Sequence, residues 1–158
     1  DPVYVQTQNI GDQHYFVSFR GKVYVADLAE ATPKIAAPWT FLTAADTKRQ
    51  WRPGGYQLFA LHRQSQRLFI AMHKKGAEGT HKNPADEIWV IDLATKKRLA
   101  RLPGHAAVAL VVTQDARPTL YALDAVKMAI AKFDAGTQPK FLKRMEAVAE
   151  SATMLELH

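Results

Sequence analysis

The chain has 158 residues, 47% of them hydrophobic, no cysteine and a formal charge of +6. That is enough for one domain with a real core, and the missing thiols exclude cysteine-ligated zinc, cysteine nucleophiles and disulfides in this stretch. No run approaches the roughly 18 uninterrupted apolar residues of a membrane helix, and neither a membrane span nor a signal peptide is expected. The basic residues are dispersed, and the densest run, Lys96-Lys97-Arg98, reads as a solvated turn between strands. With the aromatics confined to strand patterns, no nucleic-acid face is expected.

Three segments repeat one order of strands. In the first, residues 2–7 (PVYVQT) and 14–20 (HYFVSFR) flank the turn NIGD, and a third strand ends in Asp27. In the second, residues 55–62 (GYQLFALH) and 67–73 (RLFIAMH) flank RQSQ, and the third strand ends in Asp92. In the third, residues 106–112 (AAVALVV) and 119–125 (TLYALDA) flank TQDARP, and the third strand ends in Asp134. A weaker fourth strand follows each time, near Lys34–Ala37, Arg98–Leu102 and Lys140–Met145.

A period of about fifty residues with four short antiparallel strands per unit is the signature of propeller blades. The predicted fold is therefore all-β: a β-propeller of about three four-stranded blades, over about 3–50, 56–103 and 107–145. Residues 152–158 (ATMLELH) read as the first strand of a further blade. Rings close with roughly four to eight blades, so the chain reads as part of a larger ring, with blades missing on the N-terminal side. Its opening at Asp1 fits a cut or processed product. Met145, Val148, Ala149, Ala152 and Leu155 also have helical spacing, but the repeat favours a loop and then a strand.

The runs Leu68–Met72 and Ile88–Ile91 are continuously apolar, which predicts burial on both faces, as in a blade packed between two others. Asp27, Asp92 and Asp134 suit turn positions, where a carboxylate takes up nearby amides. Two insertions belong to the second repeat: residues 38–55 (PWTFLTAADTKRQWRPGG) and 73–86 (HKKGAEGTHKNPAD). Strand polarity places both at one end of the blade, where enlarged loops on a rigid scaffold tend to bind. Thr43 with Asp46 is expected to cap one short helical turn, and Pro53-Gly54-Gly55 to re-aim the chain. Trp51, Arg52, His81 and Lys82 are the docking candidates; alternatively, Trp51 and Arg52 pin the long loop to the blade edge.

The six histidines form no HxxxH or HExxH pair. His62 and His73 fall at opposite ends of neighbouring strands, and Asp86 and Glu87 point to opposite faces. No GxSxG, P-loop or GxGxxG motif is present. No catalytic, cofactor-binding or metal residue is assigned.

The run Trp51-Arg52-Pro53-Gly54-Gly55-Tyr56-Gln57, then Glu78-Gly79-Thr80-His81-Lys82-Asn83-Pro84, then Glu87-Ile88-Trp89-Val90-Ile91-Asp92, with Thr95-Lys96-Lys97-Arg98 and Ala100-Arg101 after it, carries a family likeness. It resembles the C-terminal part of the heavy subunit of tryptophan tryptophylquinone amine dehydrogenases, the aromatic (aralkylamine) branch more than the methylamine branch. The resemblance implies a seven-bladed periplasmic propeller in a complex of two heavy and two light subunits. That complex deaminates primary amines oxidatively and passes electrons to a blue-copper protein. The quinone, made of two crosslinked tryptophans, belongs to the light subunit, so Trp39, Trp51 and Trp89 are not expected to form it, and Trp89 is expected in the core. An interaction propeller without an oxidoreductase partner is the alternative, and a propeller enzyme with free quinone in a central channel a more distant one. Unneighboured flanks at Val3, Val5, Met154 and Leu155 lead to an expectation of self-association.

Overall fold

The apolar runs resolve into two interleaved sets, each facing a different neighbour. The computed structural model describes residues 6–56, 58–146 and 152–158. The first sheet contains β1 (Gln8–Ile10), β2 (Gln13–Val17), β3 (Lys22–Asp27), β4 (Lys34–Ile35) and β5 (Trp39–Thr40). After α1 (Ala44–Lys48), the second contains β6 (Arg52–Pro53), β7 (Phe59–His62), β8 (Arg67–His73), β9 (Glu87–Asp92) and β10 (Lys97–Pro103). The third contains β11 (Ala107–Val112), β12 (Thr119–Asp124), β13 (Ala129–Asp134) and β14 (Lys140–Met145). All the pairings are antiparallel, in the up-and-down order of propeller blades. Among the described residues, α1 is the only helix.

Four strands per blade are predicted, and the first two sheets have five because one position in each is split. β4 and β5 both pair with β3, and β6 and β7 both pair with β8. The break after β6 falls at Ala71 of β8: its carbonyl still accepts from the Gly54 amide at 3.1 Å, but its amide turns to the Leu58 carbonyl at 2.8 Å. After Gly54 the chain leaves the sheet for the third blade, where the Tyr56 amide donates to the Val108 carbonyl at 2.7 Å. The first strand of the first blade also differs from expectation. Residues 1–5 lie outside the described residues, and Asn9 and Ile10 of the predicted turn are ladder residues, leaving Gly11-Asp12 to turn.

Residues 152–158 form no ladder with any described strand, contrary to the extra strand expected there. A ladder needs an adjacent free edge, and side-chain packing holds this segment instead. Ala152 and Leu155 lie against a cluster of Val108, Ala109 and Leu123.

Blade two is the centre of the packing. Phe59, Leu61, Leu68, Ile70, Met72, Trp89 and Ile91 face Val17, Val23 and Phe41, on the side of the first blade. Ala60, Phe69, Ala71, Ile88 and Val90 face Leu110, Val112, Leu120, Ala122 and Phe133 of the third. Successive residues of a strand point to opposite faces, so a continuous apolar run is what covering both faces requires. Glutamines close the inner edge of β7. The Gln6 and Gln8 side chains donate to the Phe59 carbonyl and accept from the Leu58 and Leu61 amides, at 2.8–2.9 Å. From the other side, Gln114 donates to the Leu61 carbonyl at 2.8 Å and accepts from the Arg63 amide at 3.0 Å.

Gly55 sits at φ +100°, and a Cβ there would lie 2.8 Å from the Val108 carbonyl oxygen. Gly79, at φ +88°, has open space around that position. Gly55→Ala is therefore expected to cost about 2–4 kcal/mol, from strain plus backbone collision, and Gly79→Ala only about 1–2 kcal/mol from strain. Urea unfolding of the two variants checks this; equal losses would contradict the close approach. Val126, Phe141, Leu142, Met154 and Leu157 are exposed by 72%, 47%, 47%, 60% and 49%, while Val3 and Val5 lie outside the described residues. Self-association of the chain as a two-fold dimer is expected through the outer flanks, and a dilute monomer in sedimentation velocity would contradict it.

Candidate docking site at the insertion end of the second blade

Local chemistry shapes the first insertion before it meets the second. Thr43 caps α1: its hydroxyl accepts from the Asp46 amide at 3.2 Å, and Asp46 accepts from the Thr43 amide at 2.9 Å. Asp46 also pairs with Arg98 at 2.8 Å, which ties the helix to β10. The two insertions then join through backbone bonds. The Gly76 amide donates to the Gln50 carbonyl at 3.0 Å, and the Gly55 amide to the His81 carbonyl at 3.1 Å. A Cβ at Gly54 would lie 2.6 Å from His73 Nδ1, so only glycine lets the loops close here. The expectation that strand polarity gathers both insertions at one end is met.

The four docking candidates separate. Trp51 is 0% exposed, with its ring centroid 5.0 Å from that of Trp89, and contributes no surface in this chain. It pins the loop to the blade, the alternative that the sequence left open. Arg52 is half-buried and donates to the Trp51 carbonyl at 2.9 Å. His81 is half-buried, and Lys82 is exposed with its ammonium 5.8 Å from the Tyr56 ring. Sequence reasoning missed Tyr56, Lys74 and Lys75, all exposed at the same end. Tyr56 reads as the first residues of a strand, and only the Gly54-Gly55 pair before it signals a break.

Beneath this surface lies a charged knot. Glu87 is 7% exposed; it accepts from the Trp89 indole at 2.7 Å and from Arg101 through two bonds of 2.6 Å. Burial raises its carboxyl, but the Arg101 and Trp89 bonds outweigh that and hold it below the usual carboxylate range. Arg98 lies 4.3 Å from the Trp89 ring, and Arg101 lies 4.9 Å from that of Trp51. Lys96 and Lys97 are solvated as expected, whereas Arg98 is not: its aliphatic length and charge are spent on Trp89 and Asp46. Trp89, at 0% exposure, is core as expected.

His62, His73 and His105 are packed into the blades and do not cluster. His62 bonds Ser65 Oγ at 2.7 Å and the Asp115 carbonyl at 3.1 Å. His73 bonds Thr80 Oγ1 at 3.0 Å, with Nδ1 buried and unpaired. His105 stacks on Phe141 and meets the edge of Phe133. Among the described residues, no three His, Asp or Glu side chains gather as metal ligands. Asp27, Asp92 and Asp134 each accept the amide two residues on, as turn residues should, at 3.0, 2.9 and 2.8 Å.

Three antiparallel blades packed face to face, with their enlarged loops joined at one end, define a β-propeller scaffold. The methylamine dehydrogenase heavy chain (MADH) family model matches residues 1–155. The chain is 33% identical over 121 residues to the methylamine dehydrogenase heavy chain of Methylobacillus flagellatus, covering 76% of this chain and 30% of the relative. It is 32% identical over 142 residues to that of Paracoccus versutus, covering 89% and 33%, and 36% identical over 121 residues to that of Methylorubrum extorquens, covering 76% and 29%. The chain belongs to the methylamine dehydrogenase heavy chain family, and spans about a third of the length of these relatives. In fold it resembles Kuenenia stuttgartiensis Hydrazine Synthase, with a TM-score of 0.61 at 16% identity, over 92% of this chain and 35% of that one.

Burial lowers the His73 imidazole, with Arg52 adding to it and Asp86 opposing; burial and Arg144 lower His105, with Asp124 opposing. Both bind protons more readily unfolded, so their stabilising effect is complete above the usual imidazole value of about 6.5 and is lost as pH falls below it. The unfolding free energy from urea titrations is expected to fall from pH 7.5 to 5.5, by at most about 1.4 kcal/mol per pH unit for each histidine. The double variant His73→Gln, His105→Gln should show a shallower fall; an unchanged slope would contradict the assignment.

Proposed function

We propose that this chain acts as the scaffold and docking heavy subunit of a periplasmic quinoprotein amine dehydrogenase. The family match over residues 1–155 carries the reading. In the proposed complex a light subunit binds this subunit and holds tryptophan tryptophylquinone, which supplies the redox chemistry. A primary amine leaves as aldehyde and ammonia, and the electrons pass to a blue-copper protein. This chain's part is mechanical: a rigid propeller presents the insertion end of its second blade, with Arg52, His81 and Lys82, to the partner.

The neighbouring indoles of Trp51 and Trp89 invite comparison with a quinone built from two tryptophans. Both are 0% exposed and both contact the Arg101 guanidinium, at 4.9 and 5.2 Å. An amine has no path to them, so packing is the role assigned to the pair. The relatives are methylamine dehydrogenase heavy chains, which makes methylamine the first substrate to assay. The motifs between Trp51 and Arg101 resemble the aralkylamine branch and make phenylethylamine the second.

The purified chain, given either amine and a dye acceptor, is expected to stay inactive, with turnover appearing only in complex with a light subunit. Turnover or a quinone absorption band in the chain alone would overturn the scaffold role.

A further inference from the structure

We infer that the insertion end of the second blade is built to dock an acidic protein surface, with Tyr56 as the anchor and Lys74, Lys75 and Lys82 as the steering charges. The inference rests on the heavy-subunit reading above and adds the chemistry of the partner face. Tyr56 is 48% exposed, yet its backbone is fixed. Its amide is bonded to Val108, and the preceding Gly55 lies against the Val108 backbone with no room for a side chain. A large amphipathic ring held outward on a pinned backbone loses little freedom on binding, a property of interface anchors.

The lysines stand on equally fixed backbone. The Lys74 amide donates to Asp86 Oδ2 at 2.7 Å, and Lys75 occupies the left-handed region at φ 54°. The adjoining Gly76 is buried against the Arg52 side chain and bonded to Gln50. Lys82 extends over Tyr56 from the other arm of the loop. Glu78 pairs with Arg20 at 3.4 Å, whereas Asp86, bonded to the Lys74 amide, keeps its charge. Against that one carboxylate stand the ammonium groups of Lys74, Lys75 and Lys82, so the balance of the face is positive. Partner carboxylates would meet it with charge-assisted bonds and long-range steering. Trp51, fully buried, holds the loop and carries the Lys74 ammonium 5.2 Å from its ring centroid.

The test uses the chain with a methylamine dehydrogenase light subunit, titrated calorimetrically at low and physiological salt. The triple reversal Lys74→Glu, Lys75→Glu, Lys82→Glu is expected to weaken binding at least about 30-fold, and Tyr56→Ala about 10-fold. Lys97, Arg117 and Lys140 are exposed in turns or at a strand start at the other end of the blades; reversing all three alters total charge equally and is expected to leave affinity unchanged. Equal losses in the two triple variants would overturn the inference while leaving the heavy-subunit reading intact. No binding by the unaltered chain would overturn that reading, and a second probe then decides the inference. Poly-L-glutamate should shift the amide resonances of Tyr56, Lys74, Lys75 and Lys82 in the unaltered chain and not in the Lys74/Lys75/Lys82 reversal. Absence of localised shifts there would overturn the acidic-partner assignment.

Discussion

The second blade must be covered on both faces, and the rest of the structure follows from that constraint. Its strands place Leu68, Ile70, Met72, Trp89 and Ile91 on one face, and Phe69, Ala71, Ile88 and Val90 on the other. Exposing either set would cost about 1.5–3 kcal/mol for each large side chain, so neither neighbouring blade is optional. The polar bonds between blades are arranged around this requirement. Gln6, Gln8 and Gln114 satisfy the inner edge of β7, where unpaired backbone groups would otherwise face the junction.

The same constraint makes the insertion end rigid. Trp51 enters the core from a loop because Trp89 offers it a ring at 5.0 Å, with Arg101 alongside. Arg101 in turn answers the buried Glu87, whose charge would be costly without it. Cation–π contacts of this kind contribute about 0.5–2 kcal/mol each. Their larger effect is positional: with Lys74 over Trp51, they fix both insertions to the blade and leave Tyr56, Lys75 and Lys82 exposed.

Strand order and the burial of the middle strands were legible because each rests on local pattern: alternation, apolar run length and turn residues. Thr43 and Asp46 were legible for the same reason, since a cap needs only residues three apart. The splitting of the inner strand was not, because Ala71 of β8 changes partner from Gly54 to Leu58 and the excursion between them is set by Val108, in another blade. Between docking and pinning the loop, the sequence left Trp51 open, because its partners, Trp89 and Arg101, come from strands far along the chain. Lys96-Lys97-Arg98 reads as one solvated run; only the register of β10 separates Arg98, which turns inward, from its two neighbours. Residues 152–158 have the composition of a strand without a described edge to pair with, and composition alone cannot supply an edge.

A scaffold reading of this chain depends on the second blade being the mechanical centre of the three. Native-state hydrogen exchange followed residue by residue tests that most directly. Amides of β8 and β9, bonded on both sides and covered on both faces, are expected to exchange only through global unfolding and more slowly than those of β2, β3, β12 and β13. Amides of the first or third blade outlasting those of the second would contradict the account.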